Sequence, residues 1–154
     1  VLRTGSKPGA ALTLIADAGK AGAAVLLARA LVADDAAQLA GLAAFFGHCY
    51  PIWLKFRGGK GVSTFFGLLF ALAWPIGLAA GATWLIVAAI FRYSSLAALV
   101  TATLTPLFMI ILSQSQLLTL SIALTLLIFW RHKENISRLV RFQESKIGEN
   151  NFKI

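Results

Sequence analysis

Charge is scarce in this chain. Of 154 residues only 13% are Asp, Glu, Lys or Arg, while 58% are hydrophobic and the mean hydropathy is +0.79. A soluble domain of this length has too little interior to hide so much apolar surface, because its surface-to-volume ratio forces polar residues outward. The shortage excludes an ordinary soluble domain and indicates an integral membrane protein. Acid is scarcer still: six Asp and Glu stand against fourteen Lys and Arg, a net charge of +8. A basic chain can serve nucleic acid, anionic headgroups or anionic substrates. Here the basic residues lie between long apolar segments rather than on one polar face, which argues against a nucleic-acid partner. The single cysteine, Cys49, excludes an internal disulfide. No secretory signal peptide is visible. The chain opens at Val1 in a polar stretch, so we expect a natural N-terminus further upstream.

What the chain has in quantity is apolar runs, at about 9–33, 36–54, 61–74, 76–91, 94–113 and 116–130. A helix needs roughly 20 apolar residues to cross a bilayer, and fewer when short or capped by re-entrant loops. Trp74-Pro75 divides the third run from the fourth, and two helices are expected there, since one of roughly 30 residues would overshoot the membrane. The expected fold is all-α: a polytopic membrane helix bundle of about six transmembrane helices, forming one domain over 1–154. With six spans, twelve of the fourteen cations fall on one side, and only Lys20 and Arg29 do not. The positive-inside rule makes that side cytoplasmic.

The same topology brings four polar clusters to the cytoplasmic level: VLRTGSKPG at 1–9, GHCYP through GGKGVST at 47–64, RYSS at 92–95 and WRHKENISRL at 130–139. In FRGGKGVST, Gly58, Gly59 and Gly61 can adopt backbone angles closed to other residues and turn consecutive N–H groups toward one anion. Lys60 adds a mobile charge, and the helix opening at Val62 adds its dipole. Ser63 and Thr64 offer hydroxyls in its first turn. A basic turn resting on lipid headgroups is the plainer alternative. The ATP-binding P-loop does not fit, because Leu54 stands where it needs glycine and Gly61 where it needs Ser or Thr. His48 and Cys49 are adjacent but have no further ligands nearby, so a zinc site is not expected.

Near the C-terminal end, His132, Asn135 and Ile136 are spaced i, i+3 and i+4, which puts His132 and Asn135 on one helical face. A basic helix end satisfying its dipole accounts for Arg131, Lys133, Arg138 and Arg141, but not for this His–Asn pair. Asp17 and Lys20, three apart within the first run, are expected to pair on one face.

Together GHCYPIWLKFRGGKGVSTFFG, YSSLAALV and RHKENISRL resemble the PlsY family of bacterial acyl-phosphate:glycerol-3-phosphate acyltransferases, small multi-helix enzymes of the inner membrane. The resemblance covers nearly the whole chain in order. It implies that an N-terminal helix and a first-motif loop precede Val1, making seven helices in the whole protein. It implies that Arg3 is the surviving basic residue of the first motif. Lys60, with Gly58, Gly59, Gly61 and His48, belongs to the second motif and binds phosphate. Ser94 and Ser95 line the pocket, and His132, Asn135 and Arg138 form the third motif. Phe142 departs from the family pattern, since many members carry glycine there, ahead of a glutamate that is Glu144 in this chain.

The reaction so implied moves an acyl group from acyl phosphate to the 1-hydroxyl of glycerol 3-phosphate, giving 1-acyl-glycerol 3-phosphate and phosphate, the first acylation of phospholipid synthesis. It takes place in a multi-pass protein of the bacterial inner membrane, with the site facing the cytoplasm, no cofactor, and membrane lipid as surroundings. Acyl phosphate is already activated, so no covalent enzyme intermediate is needed and positioning and charge stabilisation suffice. The residues agree: there is no Ser–His–Asp arrangement, and no HxxxxD motif, because Trp53 and Ser137 stand five residues after His48 and His132. A general base can be His132, His48 or a substrate phosphate oxygen. The alternatives from other classes are a small anion transporter or channel and a lipid-binding membrane scaffold. No internal repeat favours the first, and the second predicts tolerance to replacing His132 and Asn135.

Overall fold

A computed structural model describes residues 7–149 of the chain. Every regular element among them is helical: α1 (Lys7–Leu31), α2 (Asp34–Cys49), α3 (Val62–Leu72), α4 (Trp74–Phe91), α5 (Ser94–Ile111), α6 (Leu118–Arg131) and α7 (Lys133–Val140), with short 3₁₀ turns at Ile52–Leu54 and Ser115–Leu117. The first six occupy the six apolar runs. Three of them, α1, α4 and α5, are long and apolar enough to cross a membrane, while α3 and α6 are shorter apolar helices. α2 opens on Asp34 and Asp35 and has 16 residues. Large apolar side chains such as Leu12, Ile15, Leu27, Leu85, Ile90 and Leu126 point outward. In water that coat would be a severe liability; against lipid tails it costs nothing.

The chain divides into two compact units, Val1–Gly77 and Leu78–Ile154. In the first, α1 packs on both α2 and α3. The core is Val25, Phe45, Phe65, Leu68 and Leu69. Gly67 on α3 lies directly against the backbone of α1 at Ala18, where a Cβ would overlap the chain. Without a hydrophobic drive between helices in lipid, such close approach of small residues supplies the packing. Arg29, near the end of α1, bonds through Nε to Asp34 Oδ1 at 2.7 Å, and through its Nη atoms to the carbonyls of Ala71 at 2.7 Å and Leu72 at 3.1 Å. A cation thus satisfies the orphan carbonyls that end α3. Ala73 is extended, at φ −153°, and accepts the N–H groups of Ile76 and Gly77 to open α4. Pro75 sits in that first turn, where its missing N–H is harmless. The expected pair of helices is what forms.

In the second unit α5 packs on α6, and α7 touches both. Its core is Ala97, Ala102, Met109, Leu124 and Ile128. One helix expected at the C-terminal end is two: α6 stops at Arg131, His132 has φ −101° and ψ 10°, and α7 begins at Lys133. α7 is strongly two-faced, whereas α6 is mostly apolar.

Candidate active site

The candidate residues of the first unit gather where α2 ends. After Pro51 and the short turn, Lys55 and Phe56 take φ of 52° and 62°, the left-handed region that costs a non-glycine residue energy. The loop then runs back along α2. Phe56 N–H donates to Pro51 O at 3.0 Å, Gly58 N–H to Cys49 O at 3.2 Å and Gly59 N–H to His48 O at 3.3 Å. The sequence predicts that the N–H groups of Gly58 and Gly59 face an anion; instead they satisfy carbonyls that α2 leaves without partners. These glycines are needed for close approach. A Cβ on Gly58 would overlap the His48 carbonyl and Pro51, and one on Gly59 the His48 ring. Gly61, at φ 79°, is the residue ahead of α3. It lies against the Phe45 ring. Between them Lys60 is exposed. Thr64 is buried, and its hydroxyl makes no hydrogen bond among the described residues.

The ring of His48 faces α1. Lys20 Nζ donates to Asp17 Oδ1 at 2.6 Å, the pairing expected from sequence, and lies 3.4 Å from His48 Nδ1. That nitrogen is also 3.4 Å from Asp17 Oδ1. An open cavity of about 410 Å³ is lined by Asp17, Lys20, His48, Trp53, Gly58 and Gly59, among others.

The second unit gathers a different set. Ser95, in the first turn of α5, donates through Oγ to Glu144 Oε1 at 2.7 Å. Asn135 Nδ2 donates to the same oxygen at 2.5 Å. Arg138 Nε donates to Oε2 at 2.6 Å. Burial pushes the Glu144 carboxyl upward, but hydrogen bonds from Ser95, Asn135 and Arg138, with the charge of Arg138, overcome it and hold the group below the ordinary glutamate range. Ser94 is exposed beside this cluster at the first position of α5. His132 is only 2% exposed, and its Nδ1 is 2.8 Å from Ile128 O. A carbonyl there requires a donor, which assigns the proton to Nδ1 and the lone pair of the neutral ring to Nε2.

Glu144 reaches the cluster because the segment after α7 is tied down. Ile147 N–H donates to Arg92 O at 2.6 Å and Arg92 Nη2 to Ile147 O at 2.9 Å. Phe142, at φ 56°, turns the chain in a conformation natural to glycine. That accounts for glycine being the residue expected at this position. Sequence reasoning passed over Glu144 as a site member; the available signal was that a chain with six acids places one shortly after a basic motif. Arg3 lies outside the described residues. Among the described residues no group of three or more His, Cys, Asp or Glu is placed to hold a metal.

The family model described as glycerol-3-phosphate acyltransferase matches residues 1–142. The chain belongs to the glycerol-3-phosphate acyltransferase family. It is 61% identical over 148 residues to a protein of that name from Dinoroseobacter shibae, covering 96% of this chain and 73% of that one. To the Caulobacter vibrioides (strain NA1000 / CB15N) glycerol-3-phosphate acyltransferase it is 53% identical over 152 residues, covering 97% of this chain and 70% of that one. Two crystal structures of PlsY, an integral membrane glycerol 3-phosphate acyltransferase, in a glycerol 3-phosphate form and a lysophosphatidic acid form, superpose with TM-scores of 0.89 at 32% identity. The match covers 95% of this chain and 74% and 76% of those chains. Membership of this acyltransferase family fixes the chain as a membrane-embedded, all-α enzyme.

Proposed function

We propose that the acyl group this enzyme places on glycerol 3-phosphate arrives as acyl phosphate, and that the reaction runs at the cytoplasmic face of a bacterial inner membrane. The observation that carries the residue assignment is the cluster of Ser95, Asn135 and Arg138 fixed on Glu144, one turn beyond a buried histidine of defined tautomer. Pre-set donors of this kind lower a barrier because they need no reorganisation when charge develops. Arg138 enters its ion pair through Nε, so its Nη groups can meet the phosphate of glycerol 3-phosphate, with Ser94 and Ser95 beside it. The 1-hydroxyl oxygen attacks the acyl carbon while its proton passes to Nε2 of His132. The bond from acyl carbon to phosphate oxygen breaks, phosphate departs, and the proton follows to a phosphate oxygen. Asn135 orients the acceptor.

The donor's phosphate is assigned to the first unit's loop. Exposed Lys60 stands just ahead of the N-terminus of α3, which supports a compact anion there. Arg3 is a further candidate cation. The cytoplasmic assignment is supported by the twelve cations that share one side of the topology.

The test uses the purified protein in lipid with acyl phosphate and glycerol 3-phosphate, following phosphate release and lysophosphatidate together. Equal release of both, lost in Lys60→Ala, supports the reading. Turnover with acyl-CoA but none with acyl phosphate keeps the reaction and removes the donor.

A further inference from the structure

The Asp17–Lys20 pair needs no third partner. Three residues apart on one helix, the two charges already neutralise each other, which is what a span requires of ionisable groups. Yet His48, on a different helix, brings Nδ1 to 3.4 Å from both Lys20 Nζ and Asp17 Oδ1. The opposite edge of the same ring, Nε2, stands where a side chain on Gly59 would begin. The main chain of His48 makes a second link to that residue, its carbonyl accepting the Gly59 N–H at 3.3 Å. The imidazole is therefore held on one edge by the ion pair and props the glycine loop with the other. Lys60 is the next residue.

We infer that Asp17 and Lys20 are positioning residues: they fix the His48 ring and, through it, the Gly58–Gly61 loop that presents Lys60. The inference rests on the reading of that loop as the donor's phosphate site. It assigns the two residues a part in donor binding, where charge neutralisation alone assigns them none. If the ring is untethered, it can turn about its Cβ–Cγ bond and the prop under Gly59 is lost. The first consequence falls on affinity for the donor, because the groups proposed to move the proton lie elsewhere in the chain.

The experiment is steady-state kinetics of the purified full chain in lipid with acyl phosphate as varied substrate, comparing Asp17→Asn/Lys20→Met and Gly59→Ala with the parent. The double variant removes both charges, so neutralisation is no longer at issue. The inference expects KM for acyl phosphate to rise about tenfold with kcat within about threefold. Gly59→Ala, which pushes on the ring from the loop side, is expected to raise KM likewise. An unchanged KM in the double variant overturns the inference, whether or not its melting temperature falls, and so does a loss confined to kcat. If KM rises in Gly59→Ala alone, the loop reading stands without the ion pair. If it rises in neither, the loop reading fails and the inference with it. Should the double variant not fold, Asp17→Asn and Lys20→Met are made singly and judged by the same KM criterion.

Discussion

Ser95 and Asn135 meet on a single atom, Oε1 of Glu144, although they are forty residues apart on α5 and α7. The other oxygen holds Arg138. One carboxylate thereby sets three of the residues that the sequence marks as functional. Glu144→Gln keeps the shape but replaces one oxygen by an amide nitrogen, which cannot accept from these donors. We expect a loss of about 1–3 kcal/mol in stability, the cost of leaving buried polar partners unmet, and a fall of about tenfold or more in kcat/KM. Thermal unfolding and turnover of the variant in detergent check both.

The same carboxylate gives a pH dependence with a definite sign. Its folded pKa is held below the unfolded value, so its contribution is fully present above the ordinary glutamate value of about 4.3. It is lost as pH falls through the depressed folded value. The stability advantage of the parent over Glu144→Gln is therefore expected to be constant near neutrality and to shrink below about pH 4.3. Melting curves of the two proteins across that window, converging in acid, are the expected result.

Pro106 lies inside α5 and leaves the carbonyl of Ala102, four residues earlier, without its usual donor. Thr125 of α6 offers one, its Oγ1 standing 2.7 Å from that oxygen and 2.8 Å from Ser121 O, so its one proton is shared between the two carbonyls. Thr125→Val retains the shape and removes the hydroxyl, and a loss of about 0.5–1.5 kcal/mol is expected, the range of interhelical hydrogen bonds in membranes. Thr125→Ser should recover most of it. Denaturation in mixed micelles is the measurement.

Phe142 is 92% exposed at φ 56°, so its ring contributes little and its backbone is strained. Phe142→Gly relieves roughly 1–2 kcal/mol of left-handed strain and returns about 0.5–1 kcal/mol as extra freedom of the unfolded chain. A small net rise in melting temperature is expected.

Much of this was legible from residue order alone. Apolar runs marked six helices, Trp74-Pro75 divided α3 from α4, and Asp17–Lys20 followed from helical spacing. What stayed hidden depended on contacts between distant segments. His48 meets that ion pair from 28 positions away, and Glu144 joins Ser95 from 49. The use of the Gly58 and Gly59 N–H groups was hidden for a related reason: glycine permits both anion binding and close backbone approach, and only the position of α2's end decides between them. The separation of α6 from α7 at His132 was missed because i, i+3 and i+4 spacing reads the same on either side of a bend.

Lys20 and Arg29 were the two cations that broke the charge asymmetry of the chain. In the fold each is matched by an acid, Asp17 for one and Asp34 for the other, and Arg29 also closes the end of α3. Electrically both are silent. Neither pair adds net charge where it stands, so these two cations weaken the charge asymmetry read from the sequence less than a bare list of residues suggests.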